Sequence, residues 1–174
     1  MKTHYQWCVI GAGPAGITAI NKLIVNNVNP HEIVWISNHF DCGDLGKKWI
    51  FVPANSNIAS IRKYLHSCLN FNYNKLPASS KIRQLHEENF CHIIDIVEAL
   101  QPIIKNLQNK VTTLQSIVLG ISEKDKYYLI KHRTNYKKEI YSKKIIIATG
   151  AIPLTQKSNK TRINLEIALN PKNS

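Results

Sequence analysis

Residues 7–10, Trp7-Cys8-Val9-Ile10, form a short apolar run that passes directly into Gly11-Ala12-Gly13-Pro14-Ala15-Gly16 and then into a segment with helical spacing. A G-x-G-x-x-G turn in strand, turn, helix order constrains the fold more than any other feature of the chain. The first glycine lets the backbone turn off the strand, the second admits a pyrophosphate close to the main chain, and the third lets the helix pack on the sheet. The helix predicted from Pro14 to Asn26 points its amides and positive dipole end at that place. Gly11, Ala12, Gly13, Pro14, Ala15 and Gly16 are therefore candidate cofactor-binding residues. A purely structural turn would need the same glycines, so their context decides between the two readings.

Dinucleotide folds place an acid roughly 20 residues beyond the turn, at the end of the second strand, where it holds the ribose hydroxyls. Here the second predicted strand, Glu32 to Ile36, is followed by Ser37. A single serine oxygen does not grip two hydroxyls side by side as a carboxylate does. Ser37 is a candidate ribose contact of reduced strength.

With 174 residues, of which 44% are hydrophobic, the chain buries a core of one domain but has no room for two nucleotide-binding domains. The net charge of +12 raises nucleic acid or a membrane surface as partners. The lysines are scattered over turns, however, with no basic helix face and no interleaved aromatics, which argues against nucleic acid. Cys8, Cys42, Cys68 and Cys91 are far apart and form neither C-x-x-C nor a ligand pattern. Cys8 and Cys91 read as buried small hydrophobes, and Cys42, between Asp41 and Gly43, as the one exposed thiol. The histidines show no metal-ligand spacing. Absence of a signal-like segment or a bilayer-length apolar run, with unpaired cysteines, points to no membrane association and a cytoplasmic protein.

A glycine-containing loop follows the second strand. A helix capped by Asn55 or Ser56 then carries Ile58, Ile61, Leu65 and Leu69 at helical spacing. From Glu87 to Asn109 the apolar positions recur helically, and Pro102 predicts a kink or two short helices. The period then changes to that of strands, at Val111 to Ile121, Tyr127 to His132, Glu139 to Tyr141 and Lys144 to Ala148. This predicts an α/β, Rossmann-like domain: a parallel sheet flanked by helices, with a small antiparallel β-meander over about residues 111–141. The last strand, Ile145-Ile146-Ile147-Ala148, reads as buried on both faces and ends in Thr149-Gly150, where a glycine lets backbone amides reach a cofactor.

The pairing of Gly11-Ala12-Gly13-Pro14-Ala15-Gly16 with Ile146-Ile147-Ala148-Thr149-Gly150 beyond a meander resembles the FAD-binding domain of two-dinucleotide-fold flavoproteins. Flavin-containing monooxygenases and thioredoxin-reductase-like pyridine nucleotide oxidoreductases are such proteins. The resemblance implies FAD as cofactor. It implies that the first motif holds the pyrophosphate, that Ala148, Thr149 and Gly150 close over the flavin side, and that Val118 supplies an adenine contact. The segment Trp49 to Ile58, especially Val52-Pro53-Ala54-Asn55-Ser56, resembles the stretch that brings an asparagine to the flavin or nicotinamide, which makes Asn55 a candidate.

The chain departs from that family at Ser37 and in lacking a second glycine motif for NAD(P)H. Residues 1–153 are expected to form the FAD domain, and 154–174 resemble the linker to an absent NAD(P)H domain. NAD(P)H would then enter through a missing domain or a partner, with a homo-oligomer as a further option. No catalytic acid, base or nucleophile stands out. Two functions remain open: the FAD domain of a truncated NAD(P)H-dependent oxidoreductase, or a non-catalytic relic or dinucleotide-binding domain without turnover.

Overall fold

A computed structural model describes residues 2–67, 76–133 and 139–150. Strand β1 (Lys2–Ile10) leads through the glycine turn into helix α1 (Pro14–Val25), and β2 (Ile33–Ser37) follows. Next come a short helix α2 (Asp44–Lys47), strand β3 (Pro53–Asn57), helix α3 (Ile58–His66) and a second short helix α4 (Lys81–Gln84). The remainder comprises β4 (Phe90–His92), the long helix α5 (Ile93–Gln108), β5 (Thr112–Gln115), β6 (Val118–Lys124), β7 (Tyr127–His132) and β8 (Glu139–Ile147).

Six strands form one sheet in the order β5-β2-β1-β8-β7-β6. β1 lies parallel to β2 and β8, and β2 lies parallel to β5, whereas β7 runs antiparallel to both β6 and β8. The outermost strands β5 and β6 are joined by Ser116 and Ile117 alone. Two linking residues reach no further than about 11 Å, so the meander must roll back over the parallel strands. The core confirms this arrangement. On one face Val9, Ile33 and Trp35 pack with Ile17, Ile58 and Leu100 of the helices. On the other, Cys8, Ile10, Val34 and Ile36 meet Ile130 and Ile140 of the meander. Alternate residues of β1 and β2 thus serve opposite cores, as the two-residue period of a strand requires.

Several boundaries differ from the sequence-based expectation, each for a tertiary reason. The run from Val111 to Ile121 is broken at Ser116, whose N–H donates to the Ser37 carbonyl at 2.9 Å and whose hydroxyl donates to the Arg133 carbonyl at 2.7 Å. The segments Glu139 to Tyr141 and Lys144 to Ala148 form a single strand, because β8 pairs with β1 along its length. Asn57 caps α3, not Asn55 or Ser56: its side-chain oxygen accepts the Ser60 N–H at 3.0 Å. Phe90–His92 pair with β3 instead of opening a helix. α5 then runs unbroken through Pro102, held at its start by the Asp95 carboxylate, which accepts the His92 N–H at 2.9 Å. Ile147 is 66% exposed, so β8 is not buried on both faces at its end. The reason is that β7 pairs with β8 only as far as Ser142 and leaves the strand beyond it uncovered. Leu69, residues 134–138 and the tail 154–174 lie outside the described residues.

Trp35, fully buried in β2, donates its indole N–H to the Gly11 carbonyl at 2.8 Å and takes the edge of Phe40 at a ring separation of 5.0 Å. Trp35→Phe keeps an aromatic in the core but strands that carbonyl. Urea unfolding is expected to show a loss of about 1–3 kcal/mol, the cost of a buried acceptor left unmade.

Candidate dinucleotide site

The carboxyl ends of β1, β2 and β8 open into a cleft of about 540 Å³, a size typical of small-molecule sites. Gly11, Ala12, Gly13, Pro14, Ala15, Ser37, Val118, Ala148, Thr149 and Gly150 all line it. Two glycine turns distant in sequence thus meet at one sheet edge. Their contact is direct: the Ala148 N–H donates to the Ile10 carbonyl at 2.8 Å, and the Gly11 N–H donates to the Ile36 carbonyl at 2.8 Å. Gly16 does not face the cleft, and Asn55 lies away from it, exposed on β3.

The three motif glycines are needed for different reasons. Gly11 has φ +107°, and a Cβ there would overlap the Ala148 carbonyl oxygen. At Gly16 a Cβ would overlap the Gly11 carbonyl oxygen, the same atom that Trp35 holds from the other side. Gly13 is different, because its φ of −78° suits any residue and a Cβ would meet only the Cys42 carbonyl, at 3.8 Å. The fold therefore leaves room at Gly13 that its own packing does not need.

α1 begins at the cleft with no side-chain cap, no acidic residue in its first turn and Pro14 at its start. The free donors of that turn and the positive dipole end favour an anion. Thr18 and Tyr64 fix the position of this helix end, since both hydroxyls donate to the Pro14 carbonyl, at 2.8 and 3.1 Å. A diphosphate fits this donor set: uncapped amides, a vacant Cβ position at Gly13 and no opposing carboxylate in the turn. Beside it, Ser37 donates its hydroxyl to the His39 carbonyl at 2.6 Å.

The sequence did not assign the loop after β2 to the site, yet Asn38, His39, Asp41, Cys42, Gly43 and Lys47 line the cleft; Trp49, the first residue of the segment likened to the flavin-contacting stretch, lines it too. The available signal was Gly43 and Gly46. Gly43 has φ +63° and sits against Gly13, and a Cβ at Gly46 would overlap the Asp41 carbonyl oxygen.

Cys42 corrects the expectation of an exposed thiol. It is fully buried, and its S–H points to the Val97 carbonyl at 3.9 Å. Burial, and then the charge of Asp41, push its thiol up to about 12. Burial alone pushes Cys8 up to about 12, and burial, followed by the Asp95 charge, also raises Cys91. These are inert thiols. Among the described residues no group of three His, Cys, Asp or Glu side chains is placed to hold a metal ion, and no helix is long and apolar enough to cross a membrane.

Sheet order, glycine turn and cleft define an FAD/NAD(P)-binding Rossmann-like domain. The sequence profile of the pyridine nucleotide-disulphide oxidoreductase family matches residues 5–165, and the chain belongs to that family. A monooxygenase, AgnR1, of Paecilomyces divaricatus is 29% identical over 90 residues, which are 49% of this chain and 23% of that protein. Among solved structures, the bacillithiol disulfide reductase Bdr of Bacillus cereus superposes with a TM-score of 0.63 at 13% identity, over 85% of this chain and 40% of that one. A cyclohexanone monooxygenase superposes with a TM-score of 0.61 at 15% identity, over 88% of this chain and 28% of that one. These structures share the fold. The chain spans between 23% and 40% of the length of these relatives. Family and fold together support FAD as the cofactor.

Two outcomes follow from this geometry. Gly13→Ala should fold within about 1 kcal/mol of the parent, whereas Gly16→Ala should lose about 3 kcal/mol in urea unfolding, because its clash is with backbone. In a Cys68→Ser background, a disulfide reagent at pH 8 should label no thiol of the native protein within minutes and three after denaturation, since burial raises all three thiols and, at the value of about 12 for Cys8 and Cys42, roughly one part in ten thousand is thiolate.

Proposed function

We propose that this chain is the FAD-binding unit of an NAD(P)H-dependent flavin oxidoreductase. The observation that carries the reading is the uncapped start of α1 facing a cleft walled by both glycine turns. The α1 amides, with Gly13, would hold the pyrophosphate. Val118 would flank the adenine, and Ala148, Thr149 and Gly150 would border the flavin. FAD supplies the electron-accepting ring, while the protein binds it, orients it and screens it from water. The nicotinamide would arrive from a second nucleotide-binding unit or a partner. The buried free thiols Cys8, Cys42 and Cys91 suit a reducing compartment such as the cytoplasm. Ser37, in place of an acid, favours a second reading, a dinucleotide-binding domain without turnover.

Titration with FAD, followed by quenching of flavin fluorescence, should give saturable one-to-one uptake by the purified chain, and Gly13→Val should abolish it with the fold intact by circular dichroism. A colourless protein that takes up no added FAD would overturn the reading. NADPH alone should leave the flavin oxidised; rapid bleaching by NADPH would show that the chain needs no second unit.

A further inference from the structure

We infer that Tyr64 of α3 is a positioning residue for the dinucleotide: through the Pro14 carbonyl it sets the aim of the free α1 amides, and with it the affinity for the diphosphate. The inference rests on the dinucleotide reading above and assigns control of that site to a side chain outside the cleft.

Tyr64 stands 50 residues from Pro14 in sequence and does not line the cleft. The Pro14 carbonyl is the first of α1, and two hydroxyls converge on it. That of Tyr64 donates to it at 3.1 Å, and that of Thr18 lies 2.8 Å from it and 3.1 Å from the Tyr64 oxygen. The two donors are not equivalent. The bond from Thr18 spans four residues within α1, so it travels with the helix whichever way the helix points. Tyr64 reaches in from another element and refers the carbonyl to the rest of the fold.

α1 needs such a reference. Gly16 sets its distance from the sheet by lying against the Gly11 carbonyl, and Ile17 and Ile20 bury one side of it. A helix seated on one close contact and an apolar stripe still pivots there, because apolar burial has no direction. Amides aimed at an anion do not tolerate that freedom, since a hydrogen bond weakens steeply as its angle closes. The Tyr64 bond acts at the first residue of the helix, in the turn whose amides would meet the ligand.

α3 is a firm anchor for it. Ile58, Ile61 and Leu65 pack into the core that also holds Ile17 and Ile20. At about 100° per residue, Arg62 and Tyr64 fall on opposite flanks of that buried face. Arg62 donates to the Ile82 and Leu85 carbonyls at 2.9 and 2.8 Å. The Ile58 and Ala59 amides donate to the Asn89 and Glu87 carbonyls at 2.9 and 3.0 Å. α3 is thus tied to residues 82–89 on one side, and Tyr64 carries that hold across to α1.

The test is a calorimetric titration of the full chain with FAD, ADP and adenosine, for the parent, Tyr64→Phe and a control, Tyr141→Phe. The control loses another tyrosine hydroxyl bond, to Glu139 at 3.0 Å, at the end of β8 remote from the cleft. Tyr64→Phe should weaken FAD and ADP about tenfold, and adenosine, which has no phosphate, by less than about twofold. Tyr141→Phe should leave every ligand within about twofold of the parent. If adenosine does not bind the parent, the contrast between the two variants toward FAD and ADP decides. Unchanged FAD and ADP affinities in Tyr64→Phe, a loss shared equally by adenosine, or an equal loss in Tyr141→Phe would overturn the inference while leaving the dinucleotide reading in place. Should Tyr64→Phe not fold, Arg62→Lys, which slackens the other flank of α3, should show the same selective loss, and its absence would overturn the inference instead. A parent that binds neither FAD nor ADP would overturn both readings together.

Discussion

The carbonyl of Gly11 is the point on which the site depends. It accepts the Trp35 indole N–H from the β2 side, and the bare Cα of Gly16 approaches it from the helix side. Because that oxygen is held between the second strand and the first helix, the spacing of α1 from the sheet is set to the thickness of a backbone. A buried carbonyl tolerates such crowding only when it is hydrogen-bonded, and Trp35 provides the bond. The direction of α1, and so of its free amides, is a consequence.

The opposite wall is built in the same currency of backbone contact. Gly11 presses against the Ala148 carbonyl, the Ser116 N–H ties the start of the meander to the Ser37 carbonyl, and Gly43 seats the second-strand loop on Gly13. Four segments remote in sequence thereby meet around one cleft, and few of those junctions use a side chain. Side chains are thus left for the ligand. This explains how solved structures only 13–15% identical to this chain share its fold: the determinants are absent side chains and hydrogen-bonded main chain, which many sequences supply.

Much of this was legible in the residues because glycine has a local physical meaning. The motif at Gly11, Gly13 and Gly16, the strand end at Thr149-Gly150, and the apolar stripes of α3 and α5 each declare their conformation through spacing or through a missing Cβ. What was not legible depends on partners elsewhere in the chain. Cys42, with Asp41 and Asp44 close by in sequence, reads as surface, and only its packing toward Val97 buries it. The break at Ser116 has no propensity signal, because it is made by bonds to Ser37 and Arg133. Pro102 reads as a breaker, yet α5 continues because its buried face, Leu100, Ile103, Ile104 and Leu107, outweighs one lost amide bond. The loop from Asn38 to Trp49 showed its glycines but not its destination, since nothing local states that it comes to rest on Gly13.

The pairing of β1 with β8 sets Lys2 opposite Glu139 and Ile10 opposite Ile147. β1 must therefore wait for the much later β8 before its second edge is covered. Such long-range pairing is slow to form and exposes a strand edge in the meantime. For a nascent chain of this design, the interval between translating Ile10 and translating Ile147 is when a chaperone has the most to protect.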